Sequence, residues 1–156
     1  MHLVSHEARG RWPESPREST RLRLRVDLWG RVSRWARSGY PSEVCGILIG
    51  EQLPEEVVVT EVRQAANLEV ERAADRYELD PQAFMEADRD ARAAGLEIVG
   101  FWHSHPDSPA VPSETDRSRA WPGYAYLIVS VSGSVVAAMR AWRFDDGEFR
   151  EEEMIS

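Results

Sequence analysis

Gly100-Phe-Trp-His-Ser-His-Pro106 and, a little further on, Pro112-Ser-Glu-Thr-Asp116 are the stretches from which the chain is best read. Leu96 to His103 (LEIVGFWH) is apolar almost throughout and reads as a buried strand. His103 and His105 stand two apart at its end, so both imidazoles leave the same face. Imidazole is a favoured zinc ligand. Residues 113–120 read as a short helix, in which Ser113 and Asp116 share a face. Both look toward the histidines if the Pro-punctuated loop from Pro106 to Pro112 folds back. Two His and one Asp give three protein ligands and leave a fourth tetrahedral position open, the feature that separates a catalytic zinc from a structural one. Plainer readings exist for each part. A His pair at a strand end can be a hydrogen-bonded core element. Ser113 can be the N-cap of a capping box with Asp in the fourth place. Asp107 competes as a carboxylate ligand unless Pro106 breaks the strand before it, and Glu114 reads as solvated.

Outward from this stretch, Arg21 to Val26 alternates as a short strand. Leu28, Trp29, Val32, Trp35 and Ala36 have helical spacing, with Asp27 as the expected N-cap and Ser38 to Pro41 as the stop. Val44 to Gly50 (VCGILIG) suits a strand buried on both faces. Val57 to Ala65 is a further strand and Arg76 to Leu79 a short one. Asp80-Pro81 opens a helix that Gly95 ends. Tyr124–Val131, Val135–Phe144 and Phe149–Met154 read as three closing strands, with turns at Gly133 and Asp146-Gly147. This order predicts an α/β fold: one mixed-sheet sandwich flanked by helices over 21–156, after a flexible lead-in over 1–20.

The 156 residues suit one domain, enough to bury roughly 70% of the unfolded surface and too few for a TIM barrel of about 250 residues. A single cysteine excludes an internal disulfide and a multi-cysteine zinc finger. No apolar run approaches the roughly 20 residues that span a bilayer, and the first residues lack a signal-peptide core. A soluble, cytoplasmic protein without a membrane partner is expected. The net charge of -8 argues against nucleic acid as a partner. Residues 1–25 hold six Arg against three Glu, a basic opening that reads as a solvated terminus rather than an interaction arm. All 19 basic residues are Arg, so the chain offers no lysine amine for isopeptide tagging.

Activation of water also needs a base. Glu43, in Pro41-Ser-Glu-Val-Cys-Gly-Ile-Leu-Ile-Gly50, leads into a buried strand, where an unpaired carboxylate is unusual, although position alone favours the plainer reading of a strand-edge Glu facing water. Glu43 ahead of CGILIG, then GFWHSHP, then PSETD, resembles the JAMM (MPN-plus) metalloprotease family. The parts lie on three separate elements, and the likeness runs from about Arg21 to Phe144. The resemblance implies a cytidine-deaminase-like JAMM/MPN fold, with Zn2+ held by His103, His105 and Asp116. It implies Glu43 as general base and proton shuttle, and Ser113 as a hydrogen-bond donor to the tetrahedral oxyanion. Ser104 points the opposite way on its strand and receives no catalytic role. The implied activity is cleavage of an amide or isopeptide bond after the Gly-Gly terminus of a ubiquitin-like or sulfur-carrier protein. The compact length is similar to that of bacterial and archaeal members. Deaminases of related fold carry H-x-E with P-C-x-x-C, and neither pattern is present.

Two rival readings make different demands. A thiol protease would use Cys45 with a histidine, but Cys45 sits mid-strand, where a thiol is buried and inert. A catalytically silent MPN-type module, binding a ubiquitin-like partner as a scaffold, calls for a damaged signature, and this one is intact. Trp29, Trp35 and Trp102 read as packing residues; Trp121 also reads first as packing, with the lining of a substrate groove as its alternative.

Overall fold

A computed structural model describes residues 21–156. The lead-in expected over 1–20, with much of the basic opening, lies outside the described residues. The elements are β1 (Arg21–Leu24), α1 (Val26–Gly39), β2 (Cys45–Gln52), β3 (Glu56–Ala65), α2 (Pro81–Ala93), β4 (Glu97–Pro106), α3 (Glu114–Arg119), β5 (Ala125–Ser132), β6 (Val135–Asp145) and β7 (Glu148–Ile155). The seven strands form one mixed sheet in the order β1-β3-β2-β4-β5-β6-β7. It closes on itself because β1 pairs in parallel with both β3 and β7. The α/β class and the mixed sheet are as expected; the closure through the two chain-distant strands is an addition to the sandwich expected from the sequence.

Helices on both sides explain why the central strands are apolar without alternation. α1 presents Leu28, Val32 and Ala36 to a core with Leu48, Trp102, Leu127 and Val129. α2 presents Ala87 and Ala91 to a second core with Ile47, Ile49, Phe101 and Tyr126. Successive residues of β2 and β4 thus alternate between two buried environments. Trp102 is fully buried, stacks on Trp35 with ring centroids 5.7 Å apart, and donates from Nε1 to Arg63 O at 2.9 Å. That indole occupies the space beside Gly46, where a Cβ would run into the Arg63 carbonyl and the Trp102 ring nitrogen. Gly46, the first glycine in VCGILIG, is therefore a requirement of Trp102 packing.

Several local expectations are corrected. Asp27 is not the N-cap: the chain is still extended at Arg25, which caps α1 without a side-chain bond, and Asp27 sits in the first turn, paired with Arg25. There the carboxylate still favours the positive end of the helix dipole. Arg76–Leu79 does not form a strand; only Leu79 bridges to Asn67. The Asn67 side chain reinforces that short bridge, its Oδ1 accepting from Glu69 N at 2.9 Å and Glu78 N at 2.8 Å. β4 runs past His103, where the apolar stretch ended, and as expected it stops at Pro106, before Asp107. Parallel pairing with β5 continues to Pro106 opposite Val131, and the chain turns at Asp107, where φ is 57°. The Asp80 cap is as expected, accepting from Gln82 N at 3.0 Å, as is the hairpin turn at Asp146 and Gly147, both with positive φ. No helix among the described residues is long and apolar enough to cross a membrane.

Candidate active site

β4 lies between antiparallel β2 and parallel β5, with His103 opposite Cys45 and Ile128, and His105 opposite Ser130. Strand alternation sends both imidazoles to the face that carries Phe101 and sends Ser104 to the other. Ser104 Oγ accepts from Val44 N at 2.9 Å, and Ser104 N donates to Val44 O at 2.9 Å. Its task is to lock β4 to the residue after Glu43.

Asp116 arrives from α3. Ser113 caps that helix: its Oγ accepts from Asp116 N at 3.0 Å, and its own N–H donates to Asp116 Oδ2 at 2.9 Å. This is the capping box read from S-E-T-D, with Asp in place of the usual Glu. It also aims the carboxylate. Asp116 Oδ2 lies 3.2 Å from His103 Nε2 and 3.0 Å from His105 Nε2, and the two Nε2 atoms are 3.2 Å apart. The three side chains are only 1%, 5% and 8% exposed.

These donors suit a small divalent cation. Ligands at about 2.0–2.1 Å from a tetrahedral zinc stand roughly 3.3 Å from one another, close to the spacing found. His105 Nδ1 donates to Pro109 O at 2.8 Å; because a carbonyl only accepts, this leaves Nε2 with its lone pair toward the cluster. Two buried polar atoms here, His103 Nδ1 and Glu43 Oε1, have no hydrogen-bond partner among the described residues. Such a cluster is costly unless a further group completes it.

Glu43 is buried beside this cluster at the entrance to β2. Its backbone is held by Ala73 O at 2.6 Å and Asn67 Nδ2 at 3.0 Å. Burial pushes its carboxyl up to about 8, with the charges of Asp116 and Asp75 adding and those of His105 and Arg119 opposing. Burial also works to raise Asp116, but His103 and His105, with the Ser113 N–H, hold it well below the usual carboxylate range. Burial lowers His103 and so favours its neutral, ligating form.

The competing candidates fall elsewhere. Asp107 turns away from the cluster and is held by Tyr40 and Ser132. Glu114 is exposed and pairs with Arg117 at 3.0 Å. Cys45 is buried against the carbonyls of Ala65 and Ala66, and burial, with Glu43 adding, pushes its thiol up to about 12. A thiol so unwilling to ionise is a packing group.

One neighbour of the site went unread in the sequence. Tyr77 stacks on His103 with centroids 4.5 Å apart and planes 27° apart. Arg119 Nη1 donates to Tyr77 O at 2.8 Å and ties this segment to the end of α3. The only trace in the sequence is an aromatic residue inside the charged run Glu69–Asp80, which carries no periodicity. Tyr77 is also a wall of a cavity of about 610 Å³, shared with Leu79, Phe84, Phe101, Trp121 and Tyr126. Trp121 thus lines a groove, and it packs edge-on against Phe84.

The match to known proteins agrees with this geometry. Residues 25–145 match the family described as prokaryotic homologs of the JAB domain. The chain is 43% identical over 139 residues to a desampylase of Haloferax volcanii, covering 85% of this chain and 94% of the relative. It is 33% identical over 135 residues to the CysO-cysteine peptidase of Mycobacterium tuberculosis, covering 84% and 88%. The solution structure of a Desulfitobacterium hafniense protein superposes with a TM-score of 0.76 at 29% identity, over 86% of this chain and 91% of that one. A barrel-closed mixed sheet, a His-x-His strand end and a capped Asp helix are here joined to a match over most of the chain, and the protein belongs to the prokaryotic JAB-domain family of the JAMM type.

Proposed function

We propose that this chain is a zinc-dependent hydrolase that cleaves an amide or isopeptide bond after the Gly-Gly terminus of a ubiquitin-like or sulfur-carrier protein. The observation that carries the reading is the convergence of His103 Nε2, His105 Nε2 and Asp116 Oδ2 within 3.2 Å of one another, beside the unpartnered carboxylate of Glu43. The motif resemblance and the names of the two relatives, a desampylase and a CysO-cysteine peptidase, support the substrate class.

His103, His105 and Asp116 would hold the zinc, which supplies Lewis acidity: it polarises a carbonyl and makes water easier to deprotonate. Glu43 takes the proton from the attacking water as its oxygen bonds to the carbonyl carbon. It returns that proton to the leaving nitrogen as the carbon–nitrogen bond breaks. The Ser113 oxygen serves as the cap of α3, and its hydroxyl proton meets no acceptor among the described residues. That proton is available to the carbonyl oxygen as negative charge develops there. The triad is nearly closed over, which suits a substrate without side chains beside the scissile bond. An apolar side chain upstream of the Gly-Gly fits the aromatic cavity walled by Tyr77 and Trp121.

The test is cleavage of a carrier–Gly-Gly conjugate by the zinc-reconstituted chain, with and without chelator, beside a substrate with Val for the last Gly. Cleavage of the Gly-Gly substrate alone, stopped by chelation, is expected. No cleavage, or cleavage indifferent to chelation, overturns the reading. The scaffold alternative has no observation in its favour: neither a ligand nor the carboxylate is missing.

A further inference from the structure

Residues 107–110, the turn after β4, exposed over 107–109 and buried at Ala110, are each tied to a different point of the fold. Asp107 N donates to Val131 O at 2.8 Å, and its carboxylate accepts from Tyr40 Oη at 2.8 and 2.9 Å and from Ser132 Oγ at 2.8 Å. Ser108 O accepts from Ser130 Oγ at 2.6 Å. Ala110 O accepts from Trp142 Nε1 at 3.1 Å. Between these anchors stands Pro109, whose carbonyl accepts the Nδ1 proton of His105 at 2.8 Å. Irregular surface segments ordinarily move more than the strands they leave. This one is fixed from the end of α1, from β5 and from β6, and the Pro109 carbonyl, between the anchored residues, meets a site histidine.

We propose that residues 107–110 form a cradle that aims His105, with Asp107 as its positioning residue. By fixing the turn, Asp107 keeps the Pro109 carbonyl on Nδ1. That bond sets the tautomer and the ring plane, so the Nε2 lone pair faces His103 and Asp116. Tyr40 gives the cradle a second consequence. It lies three residues before Glu43, so its bond to Asp107 ties the segment that carries the carboxylate to the strand that carries the histidines. The backbone explains the residue type. At φ 57° an ordinary side chain is disfavoured, whereas Gly, Asn and Asp are tolerated. Of the three, Asp and Asn alone offer an oxygen to both hydroxyls.

That tolerance supplies the experiment. Asp107→Gly keeps the turn conformation and removes the anchors; Asp107→Asn keeps the turn and one accepting oxygen. Two quantities are read: exchange with water of the His105 Nδ1 proton by NMR in chelator-treated protein, and zinc affinity by competition with a chromogenic chelator. The zinc arm rests on the proposed function's use of His105 as a ligand; the exchange arm does not. Slow exchange is expected in the parent and in Asp107→Asn. In Asp107→Gly exchange becomes at least about tenfold faster and zinc affinity falls about 10–100-fold, the range seen when the partner of a ligating histidine is lost. Tyr40→Phe, which keeps the ring, changes both in the same direction and serves as the second variant if Asp107→Gly does not fold. Parent-like exchange in Asp107→Gly, or an equal loss in Asp107→Asn, overturns the cradle. Faster exchange with unchanged zinc affinity upholds the cradle and counts against His105 as a ligand.

Discussion

Ser113 and Asp116 hold each other: the Ser113 N–H donates to Asp116 Oδ2 at 2.9 Å, and the Asp116 N–H donates to Ser113 Oγ at 3.0 Å. The same oxygen of Asp116 faces both histidines, so the helix cap and the proposed ligand geometry are one structure. Ser113→Ala is expected to cost about 1 kcal/mol of stability, the usual worth of such a cap. It is also expected to lower turnover by roughly 10²–10³, as removal of an oxyanion donor does. Turnover on a carrier conjugate, with zinc content measured in parallel, checks this. An unchanged rate reduces Ser113 to its capping role.

Glu43 offers a sharper separation of chemistry from binding. Glu43→Gln preserves shape and removes the proposed base, so zinc content is expected to stay stoichiometric while kcat falls by roughly 10²–10⁴. Loss of zinc from this variant would make Glu43 a ligand.

The same residue makes stability depend on pH in the chelator-treated chain. Its folded value, about 8, lies above the ordinary carboxyl value of 4.5, so the fold binds a proton that the unfolded chain gives up. The favourable contribution is complete below about pH 4.5 and is lost as pH rises through about 8. Melting temperature is expected to decline over that window, and Glu43→Gln is expected to flatten the decline. An equally steep decline in the variant assigns the dependence to other groups.

Gly46 tests the packing that places the site. Ala at this position collides with the Arg63 carbonyl and the Trp102 indole, next to the residue paired with His103. Overpacking of this kind costs about 1–3 kcal/mol, measurable by denaturant unfolding. Parent-like stability would mean that the indole moves aside without loss.

The site was legible in the sequence to the extent that it depends on spacing along one chain segment. His103 and His105 share a face because strands alternate, and Ser113 and Asp116 meet because a capping box sets both. Glu43 stood out as a carboxylate entering an apolar strand. Contacts made across distant segments left no such trace. β1 meets β7 through backbone pairing that any extended sequence can make. Tyr77 reaches His103 from a segment held by a single bridge and by side-chain bonds of Asn67. The break expected at Pro106 is where β4 ends, but the hydroxyl partners that hold Asp107 in the turn come from distant segments and left no mark in the local sequence.

X-ray diffraction from zinc-soaked crystals, recorded on both sides of the zinc absorption edge, is the most direct measurement of the metal centre. A single anomalous peak within bonding distance of His103 Nε2, His105 Nε2 and Asp116 Oδ2 is expected. No peak there after reconstitution, or a peak held by other residues, contradicts a zinc hydrolase built on this triad.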